Sequence, residues 1–92
     1  MFIGYLRANI FIPHSRSLKD KRRVIWRIKH QIRSNFNISM AEKPSDKWQA
    51  SELCFVCVNY TKRCVNNMIS KIEDFIRFNY DIQVLDIEKE II

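Results

Sequence analysis

The first segment of the chain alternates between apolar and mixed positions with a period of two, which is typical of a β-strand. Pro13 ends the alternation, because proline has no backbone N–H to donate to a sheet. The pattern predicts a strand over residues 2–12 that buries its even-numbered face. That wholly apolar face consists of Phe2, Gly4, Leu6, Ala8, Ile10 and Ile12.

A helical period follows over residues 18–36, where apolar positions recur at spacings of seven, three, four and four. Ser17, followed three residues later by Asp20, resembles an N-terminal capping box. Lys21 falls inside the apolar stripe but in the first turn, so we expect its side chain to extend past the helix end into solvent. The stripe consists of Leu18, Ile25, Ile28, Ile32 and Phe36.

The remaining pattern predicts three more strands and a second helix. Residues 38–42 are typical of a short strand, and residues 43–47 of a polar turn. Residues 51–60 form a strand that is apolar on both faces, which predicts a central strand covered on each side. Thr61 suits the N-cap of a helix extending to about residue 79, and residues 82–91 form the last strand. The stripe of the second helix consists of Val65, Met68, Ile69, Ile72, Phe75 and Ile76.

The order β-α-β-β-α-β predicts a ferredoxin-like α+β fold, in which two helices cover one face of an antiparallel sheet. A chain of 92 residues corresponds to one domain, so residues 1–92 are expected to fold as a single unit. No segment approaches about 18 consecutive apolar residues, so no membrane span is expected. The three cysteines are an odd number in a chain without a secretory signal, which favours reduced thiols and a cytoplasmic location.

Positive charge is concentrated in the first third of the chain. The formal net charge is +6, yet residues 1–36 hold nine basic residues and one acid, a net +8, while residues 37–92 hold seven and nine, a net −2. A basic patch of this kind favours nucleic acid or an anionic membrane surface, and a solvated helix is the alternative.

The first predicted helix is the candidate binding site, because its cations share one broad arc opposite the apolar stripe. Trp26 lies near the middle of this arc, and His30 belongs to it as well. Several cations beside a flat aromatic face predict phosphate contacts with an unpaired base stacked between them. A solvated basic face and a subunit contact are the alternatives. The predicted nucleic-acid-binding residues are Lys19, Arg22, Arg23, Trp26, Arg27, Lys29 and Arg33.

The odd-numbered face of the first strand is the second surface of interest, because helices on one side of the sheet would leave it uncovered. An exposed apolar patch usually marks an interaction surface. We predict a homodimer interface that includes Ile3, Tyr5 and Phe11. An RNA platform is the alternative, but the aromatic strand signature of RNA-recognition motifs is absent.

No group of residues predicts catalysis or metal binding. Cys54 and Cys57 have C-x-x-C spacing, but residues three apart on a strand point to opposite faces, so both are expected as small core residues. His14 lies in a loop that a phosphate could occupy, although an ordinary polar loop is the preferred interpretation. The alternating acids Asp86 and Glu88, with Glu90 beyond them, predict a solvated strand edge. We therefore expect no enzyme, no cofactor, no metal and no small-molecule substrate.

Several segments together resemble a known family of small proteins. The run Ser17-Leu18-Lys19-Asp20-Lys21-Arg22-Arg23-Val24 follows the first predicted strand directly. Further matching segments are Phe36-Asn37-Ile38-Ser39, Ala41-Glu42, Trp48-Gln49, Glu52-Leu53 and residues 86–92. This ordered set resembles the YlxP-like family of small bacterial proteins over essentially the whole chain.

The resemblance implies a ferredoxin-like fold and an unassigned molecular function, with no established catalytic residues. The genes of the YlxP-like family tend to lie beside those for translation initiation and ribosome maturation. The resemblance therefore implies ribosomal RNA as a partner. Trp26 departs from the family pattern, in which a polar residue is expected, so its role would be particular to this protein.

Two hypotheses follow from the residues and the resemblance together. The first is a small RNA-binding module, associated with a ribosomal subunit, that contacts phosphates through the first helix. The second is a dimeric structural or regulatory protein whose basic helix binds an acidic protein partner.

Overall fold

The computed structural model describes all 92 residues and confirms the predicted order of strands and helices. The strands form one antiparallel sheet in the order β2-β3-β1-β4, and both helices lie on the same face of it. This is the predicted ferredoxin-like α+β arrangement. Its elements are β1 (Phe2–Phe11), α1 (Leu18–Asn35), β2 (Ser39–Glu42), β3 (Ala50–Asn59), α2 (Lys62–Arg77) and β4 (Gln83–Ile91).

A single core fills the space between the helices and one face of the sheet. In β1 the even-numbered residues from Gly4 onward are buried, whereas Phe2 and the odd-numbered residues are only partly buried, so the alternation is confirmed from Gly4. In α1 the buried face includes Val24, whereas Leu18, which the spacing assigned to the stripe, is exposed at the first turn. The most deeply buried side chains are Leu6, Ile10, Ile12, Ile28, Ile32, Leu53, Phe55, Val65, Ile72 and Ile76.

Gly4 lets α2 approach β1 closely near the start of the strand. A Cβ atom at this position would lie inside van der Waals contact with Val65 Cγ1, and 3.0 Å from Ile69 Cγ1. Because α2 meets the sheet at this point, a larger residue would push the helix outward or bend the strand. The absence of a side chain therefore sets how tightly the helix layer covers the sheet.

Both helices begin where the sequence predicts. The Ser17 hydroxyl accepts a hydrogen bond from the Asp20 amide at 3.1 Å, and the Thr61 hydroxyl accepts one from the Cys64 amide at 3.3 Å. The Asp20 carboxylate accepts from the Arg16 amide, one residue before the N-cap that a standard capping box would use. The chain therefore enters α1 held by two side-chain contacts.

The prediction that β3 is covered on both faces is wrong. It is central, lying between β2 and β1, and its odd-numbered residues enter the core. On the other face Val56 is exposed and Val58 keeps 58 % of its surface. Because both helices lie on the same face of the sheet, nothing in this chain covers the opposite one. We call that opposite face the open face.

The prediction that Lys21 extends into solvent is also wrong, because only 3 % of its surface is exposed. Its ammonium group donates to the carbonyl oxygens of Lys47 at 2.7 Å and Ser45 at 3.4 Å. The Glu42 carboxylate lies 3.7 Å from the same nitrogen. The loop between β2 and β3 thus folds against the first turn of α1 and supplies acceptors for a buried charge.

Replacement of Lys21 by methionine keeps the aliphatic stem but removes the donor to both carbonyls and the cation beside the Glu42 carboxylate, which keeps its hydrogen bond from the Ser51 hydroxyl. We expect Lys21→Met to lower the free energy of unfolding by about 1–3 kcal/mol. Lys19→Met, an exposed position on the same helix, is the matched control and should change stability by less than about 0.5 kcal/mol. Urea unfolding measures both. Equal stability of the two variants would show that the Lys21 contacts contribute nothing to folding.

Candidate nucleic-acid interface

The outward face of α1 presents the predicted cations to solvent. At about 3.6 residues per turn, the side chains opposite the core belong to Lys19, Arg23, Trp26, His30 and Arg33. All five are exposed. Arg22 is exposed on one flank of this face, and Lys29 beside it is half-buried. The structure therefore places the predicted residues on one continuous surface.

Most of these cations have no acidic partner. Arg27 is the exception, since its guanidinium lies 3.5 Å from Asp81 Oδ2 in the turn between α2 and β4. The only acid on α1, Asp20, accepts a hydrogen bond from the Arg16 amide. The side chains that form no ion pair within 4.0 Å are Lys19, Arg22, Arg23, Lys29 and Arg33. Uncompensated charge on one helix face raises the local concentration of anions.

Trp26 is stacked against His30 one turn later on the helix. The ring centroids are 5.1 Å apart and the planes differ by 10°. Trp26 nevertheless keeps 63 % of its surface exposed. The pair forms a flat aromatic surface among the cations, with one face of the indole available to a stacking partner.

A groove of about 620 Å³ separates α1 from α2 and begins beside Arg27. Phe36 and Phe75 meet edge to face within it, with ring centroids 5.8 Å apart. Phe78 and Tyr80, at the end of α2 and in the following turn, also line the groove and are 79 % and 99 % exposed. The sequence patterns did not predict this surface, and the one signal for it was the pair of aromatic residues, Phe78 and Tyr80, that follows the last stripe residue.

The open face does not join the three predicted dimer residues into one patch. Ile3 and Tyr5 lie at one end of β1 and are paired with Val58 and Val56 of β3. Phe11 lies about 20 Å away at the other end of the strand. All three predicted residues are half-buried within the sheet, and the more exposed side chains beside them belong to β3 and β4.

Polar contacts occupy the middle of the open face. Arg7 forms an ion pair with Glu88 and lies 3.6 Å from Glu52, and the Glu88 charge raises the pKa of the guanidinium. Asn9 donates to Asp86 at 2.9 Å. Asp86, Glu88 and Glu90 are exposed on edge strand β4, as predicted. The central rows of this face therefore carry more acids than cations.

The cysteines lie in three different environments. Cys57 is buried in the core, as predicted, and burial raises the pKa of its thiol. Cys54 is not a core residue, because it lies on the open face with its sulfur 3.7 Å from the Tyr5 hydroxyl, and that hydrogen bond raises the pKa of Tyr5. Cys64 is exposed. The two sulfurs of the C-x-x-C pair therefore point to opposite faces of the sheet.

The loop before α1 is held by side-chain hydrogen bonds to its backbone carbonyl oxygens. The Ser15 side chain is buried and donates to the carbonyl oxygen of Ser17 at 3.1 Å. The Ser15 carbonyl accepts a hydrogen bond from the Gln49 side chain at 3.2 Å. His14 itself is exposed. Since the buried hydroxyl is already bonded, these contacts account for the loop without a bound phosphate.

Comparison with known proteins places this architecture in one family. Neither helix is long and apolar enough to cross a membrane. A search of curated proteins finds no match to the chain. A family model described as a protein of unknown function, DUF503, matches residues 3–89, and the chain therefore belongs to the DUF503 family.

Proposed function

We propose that this protein is a small non-enzymatic RNA-binding module that contacts phosphates through the outward face of α1. The observation that carries the proposal is the set of five cations on that face without an acidic partner within 4.0 Å. A polyanion supplies the missing partners, and release of its condensed counterions drives binding. The exposed face of Trp26 adds a stacking surface in the middle of the cations.

The charge on the two sides of the molecule favours the helix side over the sheet. On the open face Arg7 is already paired with acids, and Asp86 and Glu90 add negative charge. Phosphates would be repelled there, even though Tyr5 and Phe11 offer aromatic rings. RNA bound to this protein would therefore lie along α1, and the open face is left for a different contact.

Within the DUF503 family, we further propose a YlxP-like bacterial protein that acts in the cytoplasm on a ribosomal subunit. The run from Ser17 to Val24, which supports this assignment, forms the N-cap and first turns of α1. It supplies the cations Lys19, Arg22 and Arg23 of the proposed interface. One of the segments that carry the family resemblance thus supplies three of the five unpaired cations.

An acidic protein surface is the alternative ligand for the same helix. It would match the unpaired cations equally well, but it gives no role to the aromatic surface of Trp26 and His30. Phosphate contacts also predict how strongly binding depends on salt. Each contact with a single strand contributes about −0.7 to the slope of the logarithm of the binding constant against the logarithm of the salt concentration.

Charge reversal on α1 tests the RNA proposal directly. We expect the protein to bind short single-stranded RNA with a salt slope of about −3.5 if five phosphates are contacted. Arg22→Glu with Arg33→Glu should reduce that slope by about 1.4 and weaken binding more than about ten-fold. Fluorescence anisotropy over a salt series measures both quantities, and circular dichroism checks the fold.

Lys62→Glu with Arg63→Glu is the matched control, because both residues are exposed and unpaired on the other helix and the net charge changes equally. Equal loss of affinity in the two double variants would contradict a site on α1. Absence of RNA binding by the unmodified protein, with capture of an acidic protein instead, would favour the alternative. Saturable binding to one purified ribosomal subunit would support the finer assignment.

We also propose that two copies of the chain associate through the apolar end of the open face. Ile3 lies beside Val58 in the sheet and is hydrogen-bonded to Ile92 through the backbone. Val58 and Ile92 keep most of their surface exposed, which places a cluster of aliphatic side chains in water. Self-association about a two-fold axis is the commonest way to cover such a cluster.

Val58→Glu should convert this dimer to a monomer without unfolding the chain, because the substitution places a charge in the apolar contact between the two copies. Leu85→Glu is the control, since Leu85 is similarly exposed near the opposite end of the sheet. Sedimentation velocity measures the mass of each variant. A monomeric wild-type protein at about 100 μM would contradict the dimer.

A further inference from the structure

The groove between α1 and α2 combines exposed aromatic rings with a neutral lining. Phe78 and Tyr80 leave most of their ring surfaces in water, although they flank an apolar floor formed by Ile28, Phe36 and Phe75. Monomeric proteins seldom leave two large rings uncovered beside a groove unless something binds there. The groove volume of about 620 Å³ lies within the range of ligand sites.

The charges around the groove balance one another. Arg27 is paired with Asp81, and Lys71 and Asp74 line the opposite wall as one cation and one anion. The lining therefore has no net charge, in contrast to the unpaired cations on the adjacent face of α1. A neutral aromatic groove and a cationic surface on the same helix pair fit a polymer in which each unit carries one flat group and one anionic group. Arg27 is the one residue of the predicted binding set that lines the groove, and its charge is paired with Asp81.

We propose that unpaired bases of single-stranded RNA occupy this groove, stacked on Phe78 and Tyr80, while the phosphates follow the cations of α1. The proposal rests on the RNA-binding function proposed above and narrows its ligand from RNA in general to single strands. Bases in a duplex are stacked on one another and cannot reach side-chain rings, whereas unpaired bases can stack on them. The neutral lining gives no net attraction to phosphates, so the bases would enter the groove while the phosphates stay with the unpaired cations of α1.

Two serine substitutions separate stacking from charge. We expect Phe78→Ser with Tyr80→Ser to weaken binding of a short single-stranded RNA by about ten-fold or more while the salt slope stays unchanged. Binding of an RNA duplex with the same number of phosphates should change less than about two-fold, because the cations of α1 are intact. The matched control is Tyr60→Ser, an 82 % exposed tyrosine at the opposite end of the sheet.

Photo-cross-linking tests the same proposal on the unmodified protein. A thiouridine-substituted single-stranded RNA should cross-link to the peptide that carries Phe78 and Tyr80. Cross-links confined to the open face, or to the outward side of α1 alone, would overturn the proposal.

The outcomes keep this inference apart from the proposed function. If Arg22→Glu with Arg33→Glu abolishes RNA binding while Phe78→Ser with Tyr80→Ser behaves like the control, the RNA-binding function stands and the groove proposal fails. If the unmodified protein binds no RNA at all, both fail. If the serine variant instead turns a dimer into a monomer, the groove is a contact between two copies and the proposal is overturned.

Discussion

The core of this protein lies entirely on one side of its sheet, and the other surfaces follow from that arrangement. β1 is paired on both edges, so each of its side chains must face either the helices or the open face. Its even-numbered residues face the helices and include Gly4, where α2 comes closest to the strand. Two helices are enough to cover one face of four strands, and they leave none to cover the other.

This one-sided arrangement separates the charges of the molecule. The outward face of α1 meets no other part of the chain, so its cations lack partners except where Arg27 reaches Asp81. The open face is different, because cross-strand neighbours bring acids of β3 and β4 beside Arg7 of β1. The molecule therefore presents a cationic helix on one side and a face of paired charges with an apolar end on the other. The proposed RNA ligand would meet the first side, and the proposed second copy of the chain would meet the second.

The sequence predicts what depends on residues close together in the chain. The strand alternation, most positions of the helix stripes and the N-caps Ser17 and Thr61 are local patterns, and the structure confirms them, with Leu18 as the exception. Lys21 could not be placed from the sequence, because its acceptors are carbonyl groups 24 and 26 residues further on. A charged side chain within an apolar stripe can either extend into solvent or bind a buried partner. For Lys21 only the path of the loop between β2 and β3 decides which of the two occurs.

The same limit explains which parts of the candidate site the sequence revealed. The cationic arc of α1 follows from helical spacing alone, and so does the contact of Trp26 with His30, four residues apart on one face. The groove between the helices depends on how α1 and α2 are placed on the sheet, so Phe78 and Tyr80 could be noticed as aromatic residues but not assigned to a site before the fold was known. The polar middle of the open face could not be predicted for a related reason. The rows that separate Tyr5 from Phe11 include acids contributed by other strands.

The distribution of charge along α1 is not required by the fold. Like charges three or four residues apart on a helix destabilise it by about 0.2–0.5 kcal/mol per pair. Four such pairs occur on α1, which together cost about 1–2 kcal/mol. They are Lys19–Arg22, Lys19–Arg23, Arg23–Arg27 and Lys29–Arg33. The buried isoleucines hold the helix against the sheet whatever occupies its outer face, so acids at some of these positions would stabilise it further. The proposed RNA ligand would remove this repulsion, because its phosphates would pair with the cations, and its unpaired bases would cover the exposed rings of Phe78 and Tyr80.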